Sequence, residues 1–163
     1  MIVLGVDPGT RCTGYGIVEK RGNMFLPLAY GGILTVDGDE IAQRLKTIYD
    51  GLMQVIATQR PQAVALEKAF FSKSIASAFR IGEARAIAML CAAQSNLPLA
   101  EYEPRLVKMS VVGSGAAHKE QVQQMVKRLL GLHEDPKPID ASDALAIAIC
   151  HCQRAETAKR LGL

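Results

Sequence analysis

The chain has 163 residues, room for one domain with a substantial core and too little for two ordinary ones. Its apolar fraction of 49% with 21% charged residues is the balance of a soluble globular protein, and no apolar run reaches membrane-spanning length. The net charge of +3 is uneven: residues 1–66 carry six basic and six acidic side chains, residues 135–163 four of each, and residues 67–134 nine basic against six acidic. A polyanion is therefore expected over the part of the chain that follows Glu67.

In chain order, Ile2-Val3-Leu4-Gly5-Val6-Asp7 reads as a buried strand and Pro8-Gly9-Thr10 as a turn. An extended pattern resumes from Thr13 to Val18, and a third strand runs from Met24 to Val36 with a bulge or kink expected at Gly31-Gly32. The connections are short, so these three strands form an antiparallel meander. Ile41, Leu45, Ile48, Leu52, Val55 and Ile56 recur at helical spacing, which predicts a helix over 39–59 that Pro61 stops. A strand at Ala63–Leu66 follows, then an Ala/Gly-rich helix over 74–94 that is thin enough for another backbone to approach closely. A short strand lies near Leu97–Tyr102. Pro104 is placed to begin a helix to about Val112, Gly113-Ser114-Gly115 breaks the chain, and a helix covers His118–Leu130. Pro136 and Pro138 mark a loop before a last helix from Ala141 to about Lys159. There is no internal repeat, low-complexity tract or linker, so residues 1–163 are expected to form one α/β domain.

Four cysteines, Cys12, Cys91, Cys150 and Cys152, do not make a disulfide framework. Cys150 and Cys152 are two apart on a predicted helix and face different directions, and there is no second Cys/His pair at zinc spacing. Reduced thiols in the cytosol are expected. The first residues lack a basic region and a cleavage site, so secretion is not.

Four carboxylates stand where apolar segments break off: Asp7, Glu67, Asp140 and Asp143. In open α/β sheets, strand ends and the helix starts beside them border the crevice where ligands bind. Acids gathered there repel one another and resist desolvation unless a cation neutralises them. All-oxygen ligands point to magnesium. Each acid also has a plainer reading: Asp140 and Asp143 as helix-capping residues, Asp7 as a turn acid, Glu67 as a solvated strand end. Phe70 and Phe71, in a polar loop after Glu67, either anchor that loop or wedge against an unstacked base. Lys68, Lys73, Arg80, Arg85, Arg105, Lys108 and Lys119 read as ordinary solvated helix charges. Lys119 opens a helix after a glycine loop, a position that suits a phosphate; the loop is no Walker motif.

Taken together, these segments resemble the RuvC family of crossover (Holliday) junction endodeoxyribonucleases over nearly the entire chain. The resemblance is carried by Gly5-Val6-Asp7-Pro8-Gly9 with Thr13-Gly14-Tyr15-Gly16, by Glu67 followed by Phe70, and by Gly82-Glu83-Ala84-Arg85. It continues through Val111-Val112-Gly113-x-Gly115-x-Ala117-x-Lys119 and Asp140-Ala141-x-Asp143-Ala144-Leu145-Ala146. It implies a ribonuclease H-like fold: a mixed five-stranded sheet with its first three strands antiparallel, flanked by helices. It implies that Asp7, Glu67, Asp140 and Asp143 are catalytic and bind Mg²⁺, two ions per site, with Mn²⁺ able to substitute. Phe70 matches the family's base-stacking aromatic, and Lys108 and Lys119 its basic DNA-contacting positions; Phe71, Arg85 and Lys73 complete the set expected at DNA. Some members place His where this chain has Asp140. The resemblance further implies a bacterial cytoplasmic homodimer, nucleoid-associated during repair. It would cut four-way junction DNA in concert with the branch-migration motor of RuvA and RuvB proteins.

The chemistry accords with the residues. Phosphodiester hydrolysis needs an activated water and a stabilised departing 3′ oxygen, which paired divalent ions supply. Asp7, on the central strand, is the acid expected to bridge them, and paired symmetric nicks with 5′-phosphate and 3′-hydroxyl ends are the expected product. One rival is an actin/Hsp70-like ATPase fragment, on the strength of Asp7-x-Gly9-Thr10. It lacks the second such hairpin, since Asp37-Gly38-Asp39 is not in a strand-turn setting. The other rival is a non-catalytic junction-binding module, in which four acids would only repel phosphate.

Overall fold

Ile2–Asp7 forms β1, the centre of the molecule, because its apolar run can be buried on both faces: Val3, Leu4 and Val6 are within 1% of complete burial. The computed structural model describes residues 1–68 and 74–162. β2 is Cys12–Arg21 and β3 is Met24–Leu34; both turn back antiparallel, β2 against β1 and β3 against β2. Helix α1 (Ile41–Gln59) ends at Arg60, which adopts a left-handed conformation (φ 48°) immediately before Pro61. The chain then returns as β4 (Ala63–Glu67), parallel to β1. Helix α2 (Ile75–Gln94) starts at Ser74, whose hydroxyl accepts the Ser77 amide at 3.2 Å. β5 (Leu99–Tyr102) adds parallel to β4.

Three helices follow: α3 (Pro104–Val112), α4 (Lys119–Leu129) and α5 (Ile139–Leu161). Pro104 opens α3, and Gly113, at φ 80°, closes it. At the start of α4 the Gln121 side chain accepts the His118 amide at 2.8 Å. The described residues thus form one sheet in the order β3-β2-β1-β4-β5, antiparallel on one side of β1 and parallel on the other. This is the mixed, helix-flanked arrangement expected from the sequence. Among the described residues no helix is long and apolar enough to cross a membrane.

Strand alternation assigns the two cores. Leu4 and Val6 of β1, Ile17 of β2 and Val64 and Leu66 of β4 pack against Ile48 and Leu52 of α1 and Ala84 and Ala88 of α2. Val3, Val18 and Ala65 belong to the other face, with Val107 and Val111 of α3, Val122 and Val126 of α4, and Leu145 and Ile149 of α5. On that second face α5 crosses the sheet almost in backbone contact. A methyl group at Gly5 would overlap the Ala144 carbonyl oxygen, one at Gly14 the Asp140 backbone, and one at Gly16 Leu145. Gly5 pairs with Gly16 and Asp7 with Gly14, so these glycines make one smooth track across two strands.

Two expectations change. The irregularity in β3 is not at Gly31-Gly32, which pair regularly with Tyr15 and Gly14. It lies where Ile17 pairs with Ala29 and Val18 with Pro27, leaving Leu28 unmatched. Pro27 has no amide to give a ladder, so the bulge falls at the proline of an edge strand. The two glycines serve close packing instead: a side chain at Gly32 would meet Pro138 and Cys12, and one at Gly31 the Tyr15 ring. The last helix also begins at Ile139, ahead of Ala141, which puts Asp140 inside its first turn.

Filling the track should be costly. Gly5→Ala forces backbone apart in a packed core, and overpacking of this kind costs about 1–3 kcal/mol. Gly82→Ala, where nothing lies within 4 Å, should instead gain about 0.5–1 kcal/mol of helix propensity. Urea midpoints that move in these opposite directions will establish the role of the track; equal shifts would refute it.

Candidate active site

The alternation that places Val3 and Gly5 of β1 on the α5 face places Asp7 there too. In β4, Ala65 packs on the same side, and Glu67 follows it by two. Because Val6 lies beside Leu66 in the parallel pair, Asp7 and Glu67 end neighbouring strands side by side. Asp140 and Asp143 descend from α5, which the glycine track holds against those strand ends. The turn after β1 is braced by Thr13, fully buried, whose hydroxyl donates to the Gly9 carbonyl at 2.7 Å. Capping does not account for the α5 acids, since Pro138 is the N-cap residue and no side chain caps that end.

Asp7, Glu67 and Asp143 line a cleft of about 210 Å³, walled by Pro104, Val107, Val122, Ala146 and Ile147, with Lys108 and Lys119 on its rim. Asp140 does not line the cleft itself, yet its charge reaches Asp7. Burial and the negative charges of Asp143, Glu67 and Asp140 push the Asp7 carboxyl up to about 8, against a small opposing pull from Lys119. Burial and Asp143 also raise Glu67, while Lys119 and Lys108 lower it. Lys119 Nζ stands 2.6 Å from Asp143 Oδ2. Burial opposes its charge, but Asp143, Asp7 and Asp140 win, and its ammonium is held above the ordinary lysine value.

Of the residues marked from sequence, the structure gathers Asp7, Glu67, Asp143, Lys108 and Lys119 around one cleft, with Asp140 one turn earlier on α5. Arg85 is not in it; its guanidinium pairs with Glu101 on β5 and is largely buried. Phe70, Phe71 and Lys73 lie outside the described residues. Sequence reasoning missed Cys12. Its thiol hydrogen-bonds Asp140, and burial together with the charges of Asp140 and Asp7 pushes it up to about 11, so it stays a neutral thiol. Strand alternation from Gly14 could have found it, because Cys12 must share that residue's face. The other three cysteines are buried and free.

Among the described residues, no three His, Cys, Asp or Glu side chains stand as a ready-made metal-binding group. Carboxylates without a cation between them repel, and here one is already taken by an ammonium. The donor set itself fits a hard divalent cation: only carboxylate oxygens, one of them pushed up to about 8 by burial and by its acidic neighbours. A hydrolytic nucleophile of the Ser/His or Cys/His kind has no support in this cleft, where no Ser, Cys or His stands among the described lining residues.

Three comparisons bear on the chain. A family model described as crossover junction endodeoxyribonuclease RuvC matches residues 3–151. A crossover junction endodeoxyribonuclease RuvC of Caldanaerobacter subterraneus subsp. tengcongensis is 50% identical over 162 residues, covering 99% of this chain and 98% of that one. A protein of the same description from Syntrophotalea carbinolica is 54% identical over 151 residues, 93% of each chain. Among solved structures, T. thermophilus RuvC in complex with Holliday junction substrate superposes with a TM-score of 0.91 at 34% identity, over 97% of this chain and 96% of that one.

The charge crowding has a measurable consequence. A carboxyl whose folded value is about 8 against 3.8 unfolded contributes stability that is complete in acid and lost as pH rises towards 8. In EDTA, Asp7→Asn should therefore match the wild type near pH 4 and exceed it by about 3 kcal/mol at pH 8, taking about 1.4 kcal/mol per unit and discounting for the open cleft. Mn²⁺ should raise the wild-type melting temperature at pH 8 and leave that of Asp7→Asn nearly unchanged. A stability difference that stays constant with pH would contradict the crowding.

Proposed function

The chain belongs to the RuvC family of crossover junction endodeoxyribonucleases, and from that premise we propose that it resolves four-way DNA junctions by hydrolysing one phosphodiester bond in each of two strands. The observation that carries this reading is the meeting of three strand-end and helix acids with Lys108 and Lys119 in one cleft. That combination suits a phosphate held next to divalent cations, and it makes little sense for a pure binder, where unpaired acids would only repel DNA. The ATPase alternative lacks support as well: the described residues form one sheet with its flanking helices and hold no second nucleotide-binding lobe.

The residues divide the work. Asp7, Glu67, Asp140 and Asp143 would hold Mg²⁺, or Mn²⁺ in its place, two ions being the number that phosphodiester hydrolysis by water favours. Divalent cations held by these four acids would supply an activated water and stabilise the departing 3′ oxygen. Asp7, whose carboxyl feels the charge of all three other acids, would be the central acid of the set. Lys108 and Lys119 neutralise the phosphate and fix its position without reading sequence. The Cys12 thiol steadies Asp140. Water attack leaves 5′-phosphate and 3′-hydroxyl ends, so paired nicks at symmetric positions give products that ligase can seal.

Two matched nicks call for two identical sites related by a dyad, and we place the dimer contact on α2. Its amino-terminal half exposes Ile75 and Phe79, 78% and 68% accessible, with Gly82 open beside them, while further along Ala84, Ala88, Cys91 and Ala92 are buried in the core shared with α1 and β4. Large apolar side chains grouped on one helix mark an interaction surface. Phe70, Phe71 and Lys73, between β4 and α2, are proposed to touch the junction near its crossover, and Arg85 to support α2 through Glu101. Within the bacterial cytoplasm the protein would work at the nucleoid with the branch-migration motor of RuvA and RuvB proteins.

A synthetic four-way junction and its linear duplex, each with Mg²⁺ or EDTA, test the activity. The wild type should cut the junction alone, with Mg²⁺ alone, and its products should ligate directly. Asp7→Asn should lose at least a thousandfold in cutting rate yet bind the junction as well or better, having shed one repulsive charge. Cleavage by Asp7→Asn at the wild-type rate would sink the assignment. For the dimer, Phe79→Glu should sediment as a folded monomer that no longer makes paired nicks; a dimeric Phe79→Glu variant would move the interface elsewhere.

A further inference from the structure

Lys119 occupies an awkward place. It is the first residue of α4, where the helix dipole disfavours a positive charge, and the Nζ atom lies 2.6 Å from Asp143. Among the described residues Asp143 has no other ion-pair partner, and Lys108, on the same cleft, has none at all. The backbone of α4 is pinned by Val122 and Val126, both nearly fully buried, whereas the Lys119 side chain is 51% exposed. The helix is thus a fixed post and the four-carbon stem a movable arm.

A carboxylate oxygen that binds an ammonium at this distance cannot offer the same lone pairs to a divalent cation. Where four acids share one small space, the doubly charged ion neutralises more of the repulsion than a single ammonium does. We propose that Lys119 is an interim counter-ion: it holds Asp143 in the metal-free protein, a divalent cation displaces it, and the released ammonium becomes available to a DNA phosphate. Metal and DNA are then linked through one side chain, each favouring the other by the same factor. The inference rests on the divalent-cation reading of the acids, and the test below separates the two.

Mn²⁺ binding to the metal-free protein, without DNA, is read from the free-ion EPR signal for wild type, Lys119→Met and Lys108→Met. Methionine keeps an unbranched apolar stem and removes the charge. Lys119→Met should bind Mn²⁺ at least fivefold more tightly than wild type, and Lys108→Met less than twofold more tightly. Equal tightening by both variants would reduce Lys119 to a general positive charge and overturn the proposal; so would unchanged or weaker binding by Lys119→Met. If neither wild type nor variants bind Mn²⁺, the metal reading itself fails, and the inference with it. Junction binding supplies the second readout. When Ca²⁺ replaces EDTA, the salt slope of the wild type should steepen by about one unit, the mark of one added phosphate contact. The slope of Lys119→Met should not steepen. A wild-type slope indifferent to Ca²⁺ would overturn the hand-over to phosphate.

Discussion

The backbone of α5 rests on glycine. Gly5, Gly14 and Gly16 leave no side chain between the helix and the two central strands at the points where it crosses them most closely, and Ala141, Ala144 and Ala148 answer them from the helix side, all fully buried. A helix standing off a sheet on ordinary side chains lies about 10 Å from it. Here the Ala144 carbonyl sits where the Cβ of residue 5 would be. That closeness decides where Asp140 and Asp143 arrive. With any larger residue in the track, α5 would stand off the ends of β1 and β4, and Asp143 would no longer share a cleft with Asp7 and Glu67.

Closeness has an electrostatic consequence. Burial raises the Asp7 carboxyl and three neighbouring acids add to it, pushing it up to about 8, so that it favours the proton near neutrality unless positive charge enters. The metal-free cleft is a strained assembly relieved in part by Lys119 and, more remotely, by Lys108. Such strain belongs at a functional site, where it keeps the acids ready for a cation and is supported by rigid surroundings. The surroundings are rigid here: residues 3–6 of β1 and 144–150 of α5 are buried, and the turn that follows Asp7 is tied back by Thr13.

Much of this was legible in the sequence because it is local or periodic. The buried run ending in Asp7, the strand ending in Glu67 and the helical spacing after Asp140 are patterns of period two or 3.6, and the structure keeps all three. What was not legible depends on contacts between distant segments. The glycines at 31 and 32 read as a kink, since no local pattern reveals that Pro138 and Cys12 press on Gly32 and the Tyr15 ring on Gly31. Arg85 was expected at DNA, and its pairing with Glu101 could not be read because that partner comes from another element. Lys119 was visible as a helix-start lysine suited to phosphate, but its pairing with Asp143 required α4 and α5 to be set side by side. Cys12 read as an ordinary thiol until strand pairing put it opposite the start of α5. The loop with Phe70 and Phe71 lies outside the described residues, so its part remains an inference from the resemblance of the sequence.

The central claim is that α5, lying on its glycine track, delivers Asp140 and Asp143 to Asp7 and Glu67 to make a divalent-cation site. Anomalous diffraction at the manganese edge, from crystals soaked in Mn²⁺, tests it most directly. The account predicts anomalous density within about 2.5 Å of carboxylate oxygens of Asp7 and of at least two of Glu67, Asp140 and Asp143, with the Lys119 ammonium withdrawn from Asp143. Mn²⁺ bound only elsewhere on the surface, with the cleft vacant and the Lys119–Asp143 pair intact, would contradict it.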